Sequence, residues 1–235
     1  MIKVEDLSEN LLPIVGAKRF AVLLHHVLTL EECAELIDRA EEHGLEDASI
    51  YDMSTNRAHR NCERYVMDDA DRAECWYDRL VQALADTPVL AHKLRCAPWT
   101  TGNNSAAGTG GLKVALGLNE RLRLLRYKQG QFFHAHNDAA FVRGPDEGTR
   151  SGETSHVTVL VYLNQKFKGG QTTFQGRGRY YDVRPRTGSV LLFEHGILHE
   201  GKKVTQGKKY IVRTDIMYSM GDRHTSAGTT LTQQL

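Results

Sequence analysis

The chain is 235 residues long, the size of one large domain or two small ones. Hydrophobic residues make up 40% and charged residues 25%, too apolar a mixture for a disordered chain. Thirty Lys and Arg against 29 Asp and Glu leave a net charge of +1, which argues against a protein built to coat nucleic acid or an anionic membrane. No apolar run approaches the roughly 20 residues that span a bilayer, and the N-terminus lacks the basic and apolar segments of a signal peptide. Four cysteines (Cys33, Cys62, Cys75, Cys96) at irregular spacings, with no CxxC, point to reduced thiols and a cytoplasmic location.

In chain order, the first hundred residues read as helical and the remainder as strands. Arg19–Leu28 has the composition of a strand, with His25 and His26 at its end as structural residues. Thr29 with Glu32 forms a capping box ahead of the stripe Cys33, Ile37 and Ala40, which ends near Gly44. A second helix is predicted from about Asp69 to Asp86, with Ala73, Trp76, Leu80 and Leu84 on one face. Residues 97–111 are rich in Gly and Ser and read as a flexible loop. From Leu112 onward short strands alternate with turn residues: Arg121–Tyr127, Gln131–Asp138, His156–Leu163, Gln171–Phe174, Ser189–Glu194 and Lys209–Tyr218. The polar tail from Gly221 reads as frayed. The expectation is one α+β domain: helical support over 1–111, a jelly roll over 112–220 and a tail over 221–235. Oligomeric state has no signature in the sequence.

The densest chemistry is His134-Ala-His136-Asn-Asp138. Along a strand these three side chains share a face, and neighbours about 7 Å apart can bind one metal ion. A His-x-Asp pair with one distant His is the 2-His-1-carboxylate set, which leaves positions open on Fe(II). The distant histidine is His195 or His199, both following the apolar strand Ser189–Glu194.

Three ordered motifs extend this cluster. Tyr127, Gly130, Phe133, His136 and Asp138 fit Tyr-x-x-Gly-x-x-aromatic-x-x-His-x-Asp; Tyr162-Leu163-Asn164 is followed by Gly169-Gly170-Gln171-Thr172-Thr173-Phe174; His199 is followed by Val204, Gly207 and Lys209. Over residues 121–218 the chain resembles the catalytic domain of prolyl 4-hydroxylase-like, 2-oxoglutarate- and Fe(II)-dependent dioxygenases. The resemblance implies a double-stranded β-helix with His136, Asp138 and His199 as metal ligands, rather than His134 or His195. It also implies 2-oxoglutarate and O2 as co-substrates and ascorbate as an accessory reductant. A dicarboxylate that chelates the metal at one end needs a cation for its other carboxylate in a partly dry pocket. Lys209 is expected to supply it, with Arg213 as the competitor, and by resemblance Tyr162 and Thr158 add hydrogen bonds to that carboxylate while Tyr127 touches the chelating end.

Asp138 stands where related halogenases carry a small residue, so hydroxylation is the implied reaction, releasing succinate and CO2. The implied substrate is an amino-acid side chain, first a peptidyl proline, with a free amino acid or other small molecule as the alternative. A nucleic-acid demethylase of the same superfamily would carry Arg-x5-Arg after the distal histidine, and GKKYIVRTDIMY has no such pair. A cupin would need a further glutamate ligand, and a catalytically silent module would be expected to have lost a ligand. The long segment 139–156, with Arg143 and Arg150, is a candidate lid or substrate groove, and the 97–111 loop is another. Asn61–Tyr65 has no assigned place, and Cys62 reads as a buried, inert thiol.

Overall fold

The computed structural model describes residues 2–52, 57–96 and 113–220, so the 97–111 loop and the 221–235 tail lie outside the described residues. Helices α2 (Leu30–His43) and α3 (Ala70–Ala83) form where stripe and cap predict them. The Thr29 hydroxyl accepts from the Glu32 N–H while the Glu32 carboxylate accepts from the Thr29 N–H, closing the capping box in both directions. Asp69 caps α3 through the Arg72 N–H. Two further helices, α1 (Ser8–Val15) and α4 (Pro88–Arg95), are only eight residues long. Two turns are too short for a 3.6-residue period to stand out in sequence.

The first hundred residues are not purely helical support, which corrects the sequence expectation. They contribute β1 (Lys3–Asp6), β2 (Ala21–His25), β3 (Glu46–Asp47), β4 (Ile50–Asp52), β5 (Arg57–Asn61) and β6 (Glu63–Asp68). Most of these are short and charged; β5 reads Arg-Ala-His-Arg-Asn and becomes a strand through its pairing, Arg60 opposite Phe133 and Asn61 opposite Phe132. The later strands are β7 (Lys113–Leu118), β8 (Arg121–Tyr127), β9 (Phe132–His136), β10 (Thr154–Tyr162), β11 (Lys168–Gly169) and β12 (Thr172–Gly176). They continue with β13 (Arg179–Val183), β14 (Val190–Glu194), β15 (His199–Gly201), β16 (Val204–Gln206) and β17 (Lys209–Met220).

These strands build the two facing sheets of a double-stranded β-helix. The major sheet runs β1, β2, β14, β10, β17, β8, β6, β3, with β7 paired to the far half of β17. The minor sheet runs β13, β12, β15, β9, β5, β4, and β11 with β16 forms a separate ribbon. The major sheet separates two apolar clusters. Val157, Val159, Val161, Leu192, Val212 and Ile216 pack against Leu36, Trp76, Leu80 and Leu94 of the helices. The alternate residues Leu160, Tyr162, Leu191, Phe193 and Ile211 face Phe174 and Val183 of the minor sheet. This period-two split follows from strand geometry. Among the described residues no helix is long and apolar enough to cross a membrane.

Candidate metal centre and active site

The site lies between the sheets. His136 on β9 and His199 on β15 are directly opposite each other in an antiparallel pair, which places their side chains on one face as immediate neighbours. Their ring centroids are 4.3 Å apart. Past His136 the chain leaves the strand, so Asp138 does not reach its place by strand alternation, as the sequence suggests. It is held there by hydrogen bonds from its own N–H to the His195 carbonyl (3.0 Å) and from the Asn137 amide to the Gly196 carbonyl (3.0 Å). His134 stays exposed and leans on Phe132.

One nitrogen of each imidazole and one oxygen of Asp138 all fall within 4.8 Å of one another. The Nδ1 of His136 lies 2.7 Å from its neighbour His134's carbonyl, and the Nδ1 of His199 lies 2.9 Å from the Ile197 carbonyl. A carbonyl only accepts, so both Nδ1 atoms carry a proton and both Nε2 atoms face the carboxylate, each 3.6 Å from an Asp138 oxygen. Burial pushes His199 down to about 4, against the opposing pull of Asp138, so it is neutral near pH 7. Burial alone would raise Asp138, yet His136, Arg213, His199 and the Thr158 hydroxyl together hold it below the usual carboxylate range. Two imidazoles and one ionised carboxylate, converging on a single point, fit a ferrous ion with open positions. Phe133 stacks on the His136 ring at 3.5 Å and Phe193 meets His199 edge-on at 4.6 Å, which locks both rotamers.

Lys209 lines the same cavity and is 3% exposed. Its ammonium donates to the Gly170 carbonyl (2.6 Å) and sits over the Tyr127 and Tyr162 rings at 5.5 and 5.9 Å. Among the described residues no carboxylate offsets it, and burial lowers it to about 7. The Gly169-Gly170 pair has a steric reason: both residues have positive φ, and a Cβ on Gly169 would lie 2.2 Å from the Lys203 carbonyl.

Strand register separates the other sequence-predicted residues. Tyr162 is opposite Ile211, two positions from Lys209, and its hydroxyl donates to Thr172 (2.8 Å). Tyr127 is directly opposite Lys209. Thr158 is opposite Asp215, six positions and about 20 Å along β17 from Lys209. It therefore does not share a carboxylate with Lys209; its hydroxyl donates to Asp138 instead, at 2.5 Å. Arg213 is four positions, about 13 Å, from Lys209. Its Nη2 is 3.0 Å from Asp138 and 3.6 Å from Asp215, which places Arg213 beside the His136–Asp138–His199 trio.

Arg60 lines the cavity too, bonded through Nε and Nη2 to the Ala48 carbonyl with its guanidinium over the Phe133 ring. Its neighbourhood carries no motif in the sequence, and only the pairing of β5 with β9 brings it in. His195 is outside the trio, as the motif register predicts, and is a buried neighbour of Thr158 and Ser155. Arg143 and Arg150 do not line this cavity; they pair with Glu120 and Glu147, and Arg143 also with Glu153. Cys62 is fully buried, and burial raises its thiol.

Residues 122–214 match the family described as the 2OG-Fe(II) oxygenase superfamily. A protein of Acanthamoeba polyphaga mimivirus named "Putative prolyl 4-hydroxylase" is 31% identical over 39% of this chain and 42% of its own length. "Probable prolyl 4-hydroxylase 10" of Arabidopsis thaliana is 24% identical over 86% of this chain and 70% of its own. The chain thus spans less than half of the mimivirus relative. Among solved structures, a Pseudomonas putida prolyl-4-hydroxylase aligns with TM-score 0.52 at 18% identity, covering 89% of this chain and 96% of that one. A Trichoplax adhaerens prolyl hydroxylase, solved with a hypoxia inducible factor peptide fragment, aligns with TM-score 0.53 at 16% identity, over 89% and 87%. At such identities the structural likeness speaks for the fold. The family match falls on residues 122–214, the strands that carry the three motifs. This part of the chain is therefore similar to the 2OG-Fe(II) oxygenase superfamily and has the fold of the prolyl 4-hydroxylases it aligns with.

Proposed function

We propose that this protein is a 2-oxoglutarate- and Fe(II)-dependent dioxygenase that hydroxylates an amino-acid side chain, in the first instance a peptidyl proline. The observation that carries this reading is the pairing, in one cavity, of a converging His136–Asp138–His199 trio with a buried, uncompensated Lys209. In it, His136, Asp138 and His199 hold the iron and Lys209 holds the distal carboxylate of 2-oxoglutarate. Bound iron and 2-oxoglutarate supply the activation of O2: one oxygen atom enters the substrate C–H bond and the other leaves in succinate, with CO2 released and ascorbate keeping the iron ferrous.

The protein's own residues do the rest. The two Nδ1–H bonds keep the imidazoles in the ligating tautomer. Lys209, buried in the free pocket without a counter-ion, gains one when the dicarboxylate enters. Tyr127 and Tyr162 wall that end, with the Tyr162 hydroxyl tied to Thr172 rather than free to bind solvent. Leu125, Leu160 and Ile211 line the space between and limit water. A second substrate class, a free amino acid or other small acid, is favoured by Arg60 and Arg213, which line the cavity beside the trio and can receive a carboxylate. The four unpaired cysteines suit a reducing compartment, so a cytoplasmic location is part of the proposal.

The test is incubation with Fe(II), 2-oxoglutarate and O2 against proline-containing peptides and free amino acids, following succinate and a mass gain of one oxygen atom. Gain in a peptide supports the leading reading, gain only in free amino acids the second. His199→Ala is expected to abolish both signals; a variant that keeps the wild-type rate would overturn the assignment.

A further inference from the structure

A chain of hydrogen bonds leads away from the metal-facing carboxylate into the segment that follows it. The Asp138 Oδ2 accepts from the Thr158 hydroxyl at 2.5 Å; Thr158 Oγ1 lies 2.8 Å from His195 Nδ1; His195 Nε2 lies 2.9 Å from Ser155 Oγ; and Ser155 Oγ lies 2.9 Å from the Phe141 backbone nitrogen. The direction of every bond is dictated by its two ends. An N–H can only donate, so Ser155 accepts from Phe141; an ionised carboxylate can only accept, so Thr158 donates to Asp138. Thr158 must then accept from His195 Nδ1–H, and in the neutral imidazole this leaves Nε2 to accept a hydrogen bond from the Ser155 hydroxyl. Asp215, the nearest carboxylate to His195 Nε2, is farther away at 3.9 Å.

The backbone ties the same residues together. Asp138 N–H donates to the His195 carbonyl, His195 N–H to the His156 carbonyl (3.0 Å), and Ser155 N–H to the Phe141 carbonyl (2.8 Å). With Arg213 on Oδ1, both oxygens of Asp138 are held, and the plane of the carboxylate is fixed against the two Nε2 atoms.

We propose that Thr158, His195 and Ser155 are positioning residues for the metal centre: an oriented relay that sets the Asp138 carboxylate and couples it to the chain segment beginning at Phe141. None of the three is itself a ligand. The proposal rests on the reading of His136, Asp138 and His199 as the metal site, and the experiment separates the two.

Co(II) serves as the probe, with its visible d–d absorption read in an anaerobic titration without 2-oxoglutarate. Thr158→Val, nearly isosteric but unable to donate, is expected to bind Co(II) about 10- to 100-fold more weakly, with an altered band, and Thr158→Ser to restore both. Ser155→Ala, which touches no ligand, is expected to weaken binding by a few-fold and to add little on top of Thr158→Val, because both interrupt one chain. Ser155→Ala also decides the matter if Thr158→Val does not fold. Wild-type affinity and spectrum in both variants, with Co(II) bound normally by wild type, would overturn the relay alone. Failure of the wild type to bind Co(II) would remove the metal-site reading and the relay with it.

Discussion

The two faces of the major sheet are built from the same strands and solve opposite problems. On the helix side, β10 and β17 present Val157, Val159, Val161, Val212 and Ile216, all at most 1% exposed, to the apolar faces of the helices. On the site side the alternate positions of the same two strands carry Thr158, Lys209, Arg213 and Asp215, among Leu160, Tyr162 and Ile211. One face gains free energy by removing apolar surface from water. The other buries charge, which is unfavourable unless a partner is present. Asp215 shows the strain of that arrangement: burial raises its carboxyl although Arg213, His195 and Arg123 lie around it. A site that keeps Lys209 without a counter-ion can exist because the opposite face of the same sheet supplies the stability.

The largest expected effect uses adjacent residues on β14. Leu192, on the helix side, and Phe193, against the His199 ring, are both fully buried. Leu192→Ala is expected to lower unfolding free energy by about 2–5 kcal/mol while leaving the metal affinity of the folded protein unchanged. Phe193→Leu is expected to cost less stability and to loosen metal binding. Urea melts paired with metal titrations check this, and equal effects of both variants on metal affinity would break the division between the faces.

Next in size is Lys209→Met. Removing an unpaired buried ammonium is expected to raise stability, and to weaken 2-oxoglutarate binding by about 10- to 100-fold through loss of a charge-assisted contact. A lower melting temperature together with unchanged 2-oxoglutarate affinity would contradict the role given to Lys209.

The smallest effect is a pH slope from the same residue. In the folded, ligand-free protein Lys209 loses its proton near 7, whereas in the unfolded chain it keeps it to about 10.5. The unfolded state therefore binds more protons between these values, and this residue makes stability rise with pH across that window. The sign reverses for ligand binding. Above about 7 the dicarboxylate must draw a proton onto Lys209, so 2-oxoglutarate affinity is expected to fall with pH, by at most about tenfold per unit. Titrations at several pH values, with Lys209→Arg as a flat control that keeps its charge, measure it; the same slope in both proteins would assign it elsewhere.

Much of this was legible without coordinates. The capping box at Thr29 and Glu32 and the stripe of α3 are local patterns, and local hydrogen bonding realised them within a few residues. The alternation of β10 separated Val157, Val159 and Val161 from Thr158, Leu160 and Tyr162 before any strand had a partner. The three spaced motifs singled out His136, Asp138, His199 and Lys209 through the family resemblance they carry, since ligand chemistry by itself left His195 open beside His199.

Other features depended on which strands meet. β5 has no apolar alternation, and only its place beside β9 makes it a strand and brings Arg60 into the cavity. The pairing of β10 with β17 moved Thr158 from the Lys209 end to Asp138, since register along an antiparallel ladder cannot be read from one strand alone. His195 joins Thr158 and Ser155 because the turn after β14 folds against β10, a contact with no signature in the local sequence. Within β10 and β17 the sequence by itself determined which side chains share a face, because side-chain alternation along a strand is a local property. Asp138 lies past the end of its strand and escapes that rule. Tertiary structure decided which faces and ends meet, because that depends on contacts between residues far apart in the chain.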